Sequence, residues 1–315
     1  MNVRLPKVSV VMGVHNGAGE LAPTLESVLE QEGVDFEVIV VDDGSSDASG
    51  NYLDAMAKSD TRIHVLHQEN RGLTQALIRG CRVARGDYIA RQDCGDRSYP
   101  SRLTMLSERL DRNRNLVMVS SAYRHVGPKG ELLQFVSSGD NHGDLRRVLR
   151  SGDPAKLYGP HHGTVMFRRA AYFAAGGYRP EFYFAQDLDL WTRMACIGDI
   201  EYLEDILYEV KFLYGSITAT QRARQTKRRE LIAEATRLRS MGESDHEVLK
   251  RASQVRPSSD RPSTETEADS DYFIGSCLAL RRDPAARAYL FRAIKRRPWM
   301  SRAWAKLMMA VLWRR

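Results

Sequence analysis

The chain has 315 residues, 43% of them apolar, which suffices for one large packed domain or a domain with an appendage. No run approaches the roughly 20 apolar residues needed to cross a bilayer, and no signal-peptide pattern opens the chain, so a cytoplasmic protein is expected. A net charge of +7 suits nucleic acid, anionic membrane or phosphorylated substrates, but zinc spacing and RNA-binding aromatic signatures are missing, so no nucleic-acid partner is expected.

The first half alternates short apolar runs with helical patterns. Val8 to Met12 reads as a buried strand, Gly13 to Gly19 as a loop, and Leu21, Leu25, Val28 and Leu29 share one helical face. Glu37 to Val41 is the second strand, ending at Asp42-Asp43-Gly44-Ser45-Ser46-Asp47. Arg62 to Leu66 is the third, a helix follows over about Leu73 to Ala84, and Tyr88-Ile89-Ala90 is the fourth. This alternation predicts a parallel, doubly wound α/β sheet with ligands beyond the carboxyl ends of its strands.

From Pro100 the pattern becomes a helix, a strand at Leu116 to Ser121, and a loop-rich stretch through Leu157 to Gly163. Gly176-Gly177-Tyr178 precedes Phe184 to Trp191, and Arg222 to Arg239 reads as a charged helix. Gln254 to Asp271 is rich in Ser, Thr, Pro and Glu and reads as a linker. Helical patterns then cover Tyr272 to Leu280, Ala285 to Lys295 and about Ser301 to Leu312, with Pro298 near a helix start. Lys295 to Arg315 carries seven Lys or Arg and no acid. Trp299, Trp304 and Trp313, with Leu307, Met308, Val311 and Leu312, make this tail a basic amphipathic segment. It suits an anionic membrane surface, a second subunit, or packing on the rest of the chain. The expected division is 1–216 as the catalytic domain, 217–253 as a charged helical extension, 254–271 as linker and 272–315 as basic helical tail. The four scattered cysteines read as reduced thiols.

Three acidic segments carry the candidate chemistry. Asp42 and Asp43 leave an apolar strand at the sheet rim, where they either meet a nucleobase and ribose or cap the next helix. Asp93-Cys94-Gly95-Asp96 places two carboxylates on one tight loop, which is either a simple turn or a seat for Mg²⁺ or Mn²⁺ shared with a diphosphate. Asp187, between Phe184 and Trp191, is either a general base or a helix N-terminal acid; Asp189 fits the second role. His161-His162 reads either as loop or as a metal or phosphate contact.

In their order and spacing these segments resemble the family 2 inverting glycosyltransferases with the GT-A fold, from Pro6 to Ser216. The resemblance rests on Val8 to Asn16, Gln31, Glu37 to Asp47, Asn70 to Leu73, Ala84 to Arg91, Asp93 to Asp96, Pro100 to Leu103, Gly163 to Met166, Gly177 to Arg179 and Gln186 to Trp191. It implies a Rossmann-like, mostly parallel sheet flanked by helices, with a C-terminal helical appendage. It further implies a nucleotide-sugar donor, with UDP expected, and a carbohydrate or lipid-linked acceptor in cell-surface polysaccharide synthesis. Gly13, His15, Asp43, Arg71 and Asp93 would bind the donor, Asp42 would support that loop, and Asp93 with Asp96 would hold the metal. Asp187 would be the catalytic base, with Gln186 where the family usually has Glu. Gly95 departs from the family pattern, which has Asp there, and no downstream histidine matches around Lys211 to Tyr214. Retention of Asp187 favours an active enzyme; Gly95 favours a degenerate binding module. A nucleotidyltransferase would want a basic residue in Gly13 to Gly17, which is lacking.

Overall fold

The computed structural model describes residues 5–137, 158–214, 222–256 and 264–312. Trp313, the expected boundary at 216/217, residues 257–263 of the expected linker, and Leu157 of the loop-rich stretch lie outside the described residues.

Runs rich in branched apolar residues become inner strands buried on both faces. β1 (Val8–Val14) has one partly exposed residue, Gly13, and β2 (Phe36–Asp43) is buried throughout. β3 (Ile63–Gln68) and β4 (Tyr88–Arg91) complete a parallel half in the order β3-β2-β1-β4. The register sets Gly13 beside Val41 and Val11 beside both Ile39 and Arg91. Asp42 and Asp43 are therefore the last residues of a strand, and the second and third strands each run two residues beyond their apolar patterns.

The other half is antiparallel. β5 (Arg97–Ser98) pairs with β9 (Asp199–Lys211), β8 (Val165–Arg168) pairs with β4 and with β6 (Leu116–Val126), and β7 (Leu132–Val136) pairs with β6. The result is a mixed sheet flanked by helices: α1 (Ala18–Leu29), α2 (Ser49–Ser59), α3 (Leu73–Val83), α4 (Arg102–Arg112), α5 (Arg169–Ala174) and α6 (Gln186–Met194). Leu21, Leu25 and Val28 on α1 pack with Val10, Met12, Val38 and Val40 on one side of the sheet. Leu77 of α3 and Leu190, Trp191 and Met194 of α6 pack with Val11, Ile39 and Phe167 on the other.

Residues Met1–Tyr123, Val136–Glu209 and Arg224–Arg256 make one compact unit. From Arg224 onward the expected charged extension is thus part of it. Its helices α7 (Arg222–Ser240) and α8 (His246–Ser253) bury Leu231, Ile232, Ala235, Val248 and Ala252 in the core that holds Trp191.

Arg124–Phe135, Val210–Ala223 and Pro257–Arg315 make the second unit. It contains α9 (Thr264–Leu280), α10 (Ala286–Arg296) and α11 (Ser301–Leu312). The linker expectation is corrected from Thr264 onward. The polar composition there is that of a helix start: Glu265 and Glu267 lie in its first turn, where acids are favoured. Asp271 is fully buried and accepts from Tyr214 Oη at 2.6 Å, from Arg292 Nε at 3.1 Å, and from Arg296. On α11, Ala303, Leu307 and Ala310 face the other two helices, while Trp304, Met308, Val311 and Leu312, with Trp299 ahead of the helix, are exposed. No helix among the described residues is long and apolar enough to cross a membrane.

A buried carboxylate ties the parallel half together. Glu37 Oε1 accepts from Ser9 Oγ at 2.6 Å and from the Arg85 N–H at 2.9 Å, and Oε2 accepts from Arg85 Nε at 2.8 Å. Burial pushes its ionisation up, but Arg85 and Ser9 outweigh this and hold it below the usual carboxylate range. This stabilisation is complete above the unfolded value of about 4.3 and is lost as pH falls through the lower folded value. Glu37→Gln should therefore cost about 1–3 kcal/mol near neutral pH, and the deficit should shrink on acidification, as urea denaturation at several pH values would show.

Candidate functional site

The chain leaves β1, β2 and β4 at one rim, where a doubly wound sheet opens its ligand crevice. Loops there organise two groups of the expected residues, and a third element delivers Asp187.

The first group surrounds Asp43. Its Oδ1 accepts from Gln68 Nε2 at 2.7 Å and the Arg71 N–H at 2.9 Å, and Oδ2 accepts from the Gly72 N–H at 2.8 Å. Three of the roughly four acceptor positions of a carboxylate are thus used in shaping the 68–72 loop. Asp42 accepts from the Ser45 N–H at 3.1 Å and contacts His67 Nδ1 at 3.0 Å, so it holds the loop after β2. His15 is exposed with Nδ1 3.0 Å from the Asp43 carbonyl, and the Asn70 amide lies 3.2 Å from its Nε2. The Arg71 side chain is exposed beside Glu69 at 3.8 Å. Gly13 serves packing, since a Cβ there would come within 2.8 Å of Leu73 Cδ1 and 3.3 Å of Ala76 Cβ; its hydrogen lets α3 close on β1.

The second group follows β4. Asp93, Asp96 and His161 each offer a ligand atom, and these atoms lie within 4.8 Å of one another. Asp96 closes a tight turn by donating its N–H to the Asp93 carbonyl at 3.2 Å. Gly95 sits at φ +102°, and its N–H donates to Thr24 Oγ1 at 3.0 Å. That backbone region is open to glycine and strained for other residues. The departure from the family's Asp is thus a requirement of this turn. Gly95→Asp is expected to destabilise the fold by about 1–3 kcal/mol and to leave metal-dependent binding no stronger, measured by thermal unfolding and by calorimetry with Mn²⁺ and UDP.

His161 takes the third donor position from an unrelated stretch of chain, just ahead of a 3₁₀ turn (His162–Thr164) that leads into β8. Tyr123 and Tyr208 flank its ring, with centroids 5.1 and 6.3 Å away. Burial, partly opposed by Asp93, lowers its proton affinity and keeps the imidazole neutral, the form that ligates metals. Of the two histidines it is His161 that stands beside the carboxylates, whereas His162 is buried against Arg91 and Tyr178 at 3.0 and 2.7 Å. Two carboxylates and one imidazole fit a divalent cation such as Mn²⁺ better than Mg²⁺, which favours all-oxygen shells.

Two fully buried arginines lie behind the acidic turn. Arg91 donates from Nη2 to Asp93 Oδ1 at 2.6 Å and also reaches the Val11 carbonyl. Arg102 donates to the Arg91 and Gly163 carbonyls at 2.8 and 2.7 Å and lies over the Tyr208 ring. Burial raises the Asp93 ionisation, but the Arg91 charge, helped by Arg102, more than offsets it, so the carboxyl lies below its usual range. Arg91 is thus a counter-ion held beneath the loop; Arg97 is exposed on β5. The Cys94 thiol is pushed up to about 12 by burial and by Glu20 and Asp93, which excludes it as a nucleophile at neutral pH.

Asp187 occupies the first turn of α6, partly buried, with Oδ1 accepting from the Leu188 N–H at 2.8 Å. Its carboxyl moves the opposite way from Asp93: burial raises it, and the Asp93 charge adds to the rise. Paired carboxylates pushed apart in this manner are a mark of acid–base sites. Arg102 and Tyr208 are not distinguishable by spacing, and which of His161 and His162 meets Asp93 is decided only when β4, α4, β8 and β9 come together.

The family model for Glycosyl transferase family 2 matches residues 9–173. EpsE of Bacillus subtilis (strain 168) is 33% identical over 214 residues, covering 65% of this chain and 73% of EpsE. Glycosyltransferase GlyG of Streptococcus pneumoniae serotype 4 is 34% identical over 42% of this chain and 44% of its own length. Chondroitin synthase of Pasteurella multocida is 25% identical over 73% of this chain but only 23% of that longer protein. Among solved structures, S. aureus TarS 1-349 in complex with UDP superposes with a TM-score of 0.53 at 15% identity, covering 92% of this chain and 88% of TarS. The matched segment runs through the β1 rim, the β2 loop and the acidic turn of β4, so the sequence likeness and the geometry fall on the same residues: the chain belongs to glycosyl transferase family 2 and is a glycosyltransferase of GT-A fold.

Proposed function

We propose that this enzyme transfers a sugar with inversion from a UDP-sugar to a carbohydrate or lipid-linked acceptor in polysaccharide synthesis. One observation carries the reading: Asp93, Asp96 and His161 bring their donor atoms together, and the Asp93 charge reaches the Asp187 carboxyl, which it and burial raise above the usual range. The TarS complex holds UDP on the same fold, and the relatives named above include a chondroitin synthase.

The donor's nucleoside would lie along His15, Asp43 and Arg71, where the remaining acceptor position of Asp43 and the Arg71 guanidinium meet base, ribose or phosphate. Asp93, Asp96 and His161 would hold a divalent cation, which when bound supplies positive charge at the leaving diphosphate. Asp187 removes the proton from the acceptor hydroxyl. The freed oxygen forms its bond to the anomeric carbon as the bond to the diphosphate breaks, so UDP leaves and the anomeric configuration inverts. Arg91 keeps Asp93 ionised through this, and the turn at Gly95 keeps Asp96 beside it.

The test is turnover of UDP-glucose, UDP-galactose, UDP-N-acetylglucosamine and UDP-glucuronate, with Mn²⁺ and with chelator, and with NMR of the product anomer. Metal-stimulated turnover giving the inverted anomer is expected. Retention of configuration, or equal turnover in chelator, would overturn the reading.

A further inference from the structure

The family match ends at residue 173, yet the extension beyond β9 touches the segment bearing Asp187 on both sides. Before it, Arg228 of α7 is buried with its guanidinium 3.8 Å from the centre of the Phe184 ring, and Nη2 donates to the Val255 carbonyl at 3.3 Å. After it, Asp189 of α6 is fully buried and accepts from Arg193 Nη2 at 2.6 Å and Nε at 3.1 Å. Arg239 of α7 lies 3.9 Å from the other Asp189 oxygen and donates to Thr192 Oγ1 at 3.3 Å. Asp245, just ahead of α8, accepts from Arg239 Nη1 at 2.7 Å and from Arg179 Nη1 at 2.6 Å.

Between these two holds stands Ala185, the residue that caps the start of α6, at φ +56°. A left-handed non-glycine residue costs roughly 1–3 kcal/mol and persists only where its surroundings over-determine it. Here the ring clamp on Phe184 and the ion network on Asp189 supply that constraint. They fix the direction in which the first turn of α6 presents its side chains.

We propose that Arg228, Arg239 and Asp245 are positioning residues for catalysis: the C-terminal extension clamps both flanks of Asp187 and sets its aim at the acceptor hydroxyl. The inference rests on Asp187 being the base. Misplacing a reacting group by about 1 Å can cost on the order of 100-fold in rate, so a clamp of this kind acts on kcat without touching the donor.

The test uses the full chain and the UDP-sugar that turns over in the screen above. Arg239→Met keeps the stem and removes the charge, and should lower kcat about 10- to 100-fold. Donor KM and calorimetric UDP affinity in Mn²⁺ should stay within about twofold of wild type with an undiminished number of UDP sites per chain, which a partial loss of folded protein would lower. Arg239→Lys, which retains a cation for Asp245, should recover part of the loss. Arg251→Gln, which breaks the exposed Arg251–Glu234 pair on the same extension, should leave kcat unchanged. Should Arg239→Met not fold, Asp245→Asn carries the measurement, because its amide oxygen still accepts from one arginine. Wild-type kcat in the folded variants, or a fall in kcat matched by loss of UDP binding, overturns the positioning role. Asp187→Asn in the same series separates the cases: full activity in that variant sinks the base assignment itself, whereas its inactivity beside an unaffected Arg239→Met sinks only the clamp.

Discussion

Asp187→Asn is expected to reduce transfer by about 10²–10⁴-fold while UDP affinity stays near wild type, because the amide keeps the shape and cannot take a proton. The stability of the variant should move the other way. Burial and the neighbouring Asp93 raise the folded-state ionisation of Asp187. A carboxyl raised in this way favours the folded state while protonated, and that contribution is lost as pH rises through the folded value. At neutral pH the ionised Asp187 therefore costs stability, and the asparagine variant should melt at or above the wild-type temperature. Inactivity with an undiminished Tm assigns the loss to chemistry; inactivity with a collapsed Tm would refute the account. The same shift bears on the acid limb of kcat/KM, which reports the free enzyme. Asp187 works when ionised, so the limb should fall above the ordinary aspartate value of about 3.9 and should disappear from the residual rate of the variant.

His161→Ala is expected to weaken the Mn²⁺-linked part of UDP binding by at least about tenfold, leaving binding in chelator unchanged. The linkage is reciprocal, so the factor by which Mn²⁺ tightens UDP must equal the factor by which UDP tightens Mn²⁺. In the free protein, Asp93 is already paired with Arg91 at 2.6 Å, and Arg102 adds a second buried cation nearby. These charges oppose cation binding until a diphosphate adds its own negative oxygens. Mn²⁺ alone should accordingly bind poorly, and the gain on adding UDP should drop in His161→Ala. Unchanged coupling in that variant would remove His161 from the metal site and leave the two carboxylates alone.

The parallel half of the sheet is legible in sequence because it depends on local, one-dimensional signals. Val8 to Met12, Glu37 to Val41 and Tyr88 to Ala90 are short apolar runs followed by acidic or glycine-bearing loops, and a run buried on both faces has little choice but to be an inner strand. The positions of Asp42, Asp43, Asp93, Asp96 and Asp187 at strand or helix ends follow from the same signals. Their partners do not. His161 stands far from Asp93 in sequence, and the His161-His162 pair by itself leaves the loop and metal readings both open. Gly95 reads as a missing ligand, and only its φ of +102° makes it a requirement of the turn. Gln254 to Asp271 reads as a linker because charge and hydroxyl groups dominate it, yet Asp271 is buried under Arg292 and Arg296 from another helix. Sequence periodicity reports what each segment hides from water, whereas the pairing of distant charges is decided by which segments meet. The α/β frame and its acidic rim are therefore determined by the sequence read alone; the third metal donor, the buried counter-ions and the clamp on Asp187 exist only once tertiary contacts bring opposite charges out of water together.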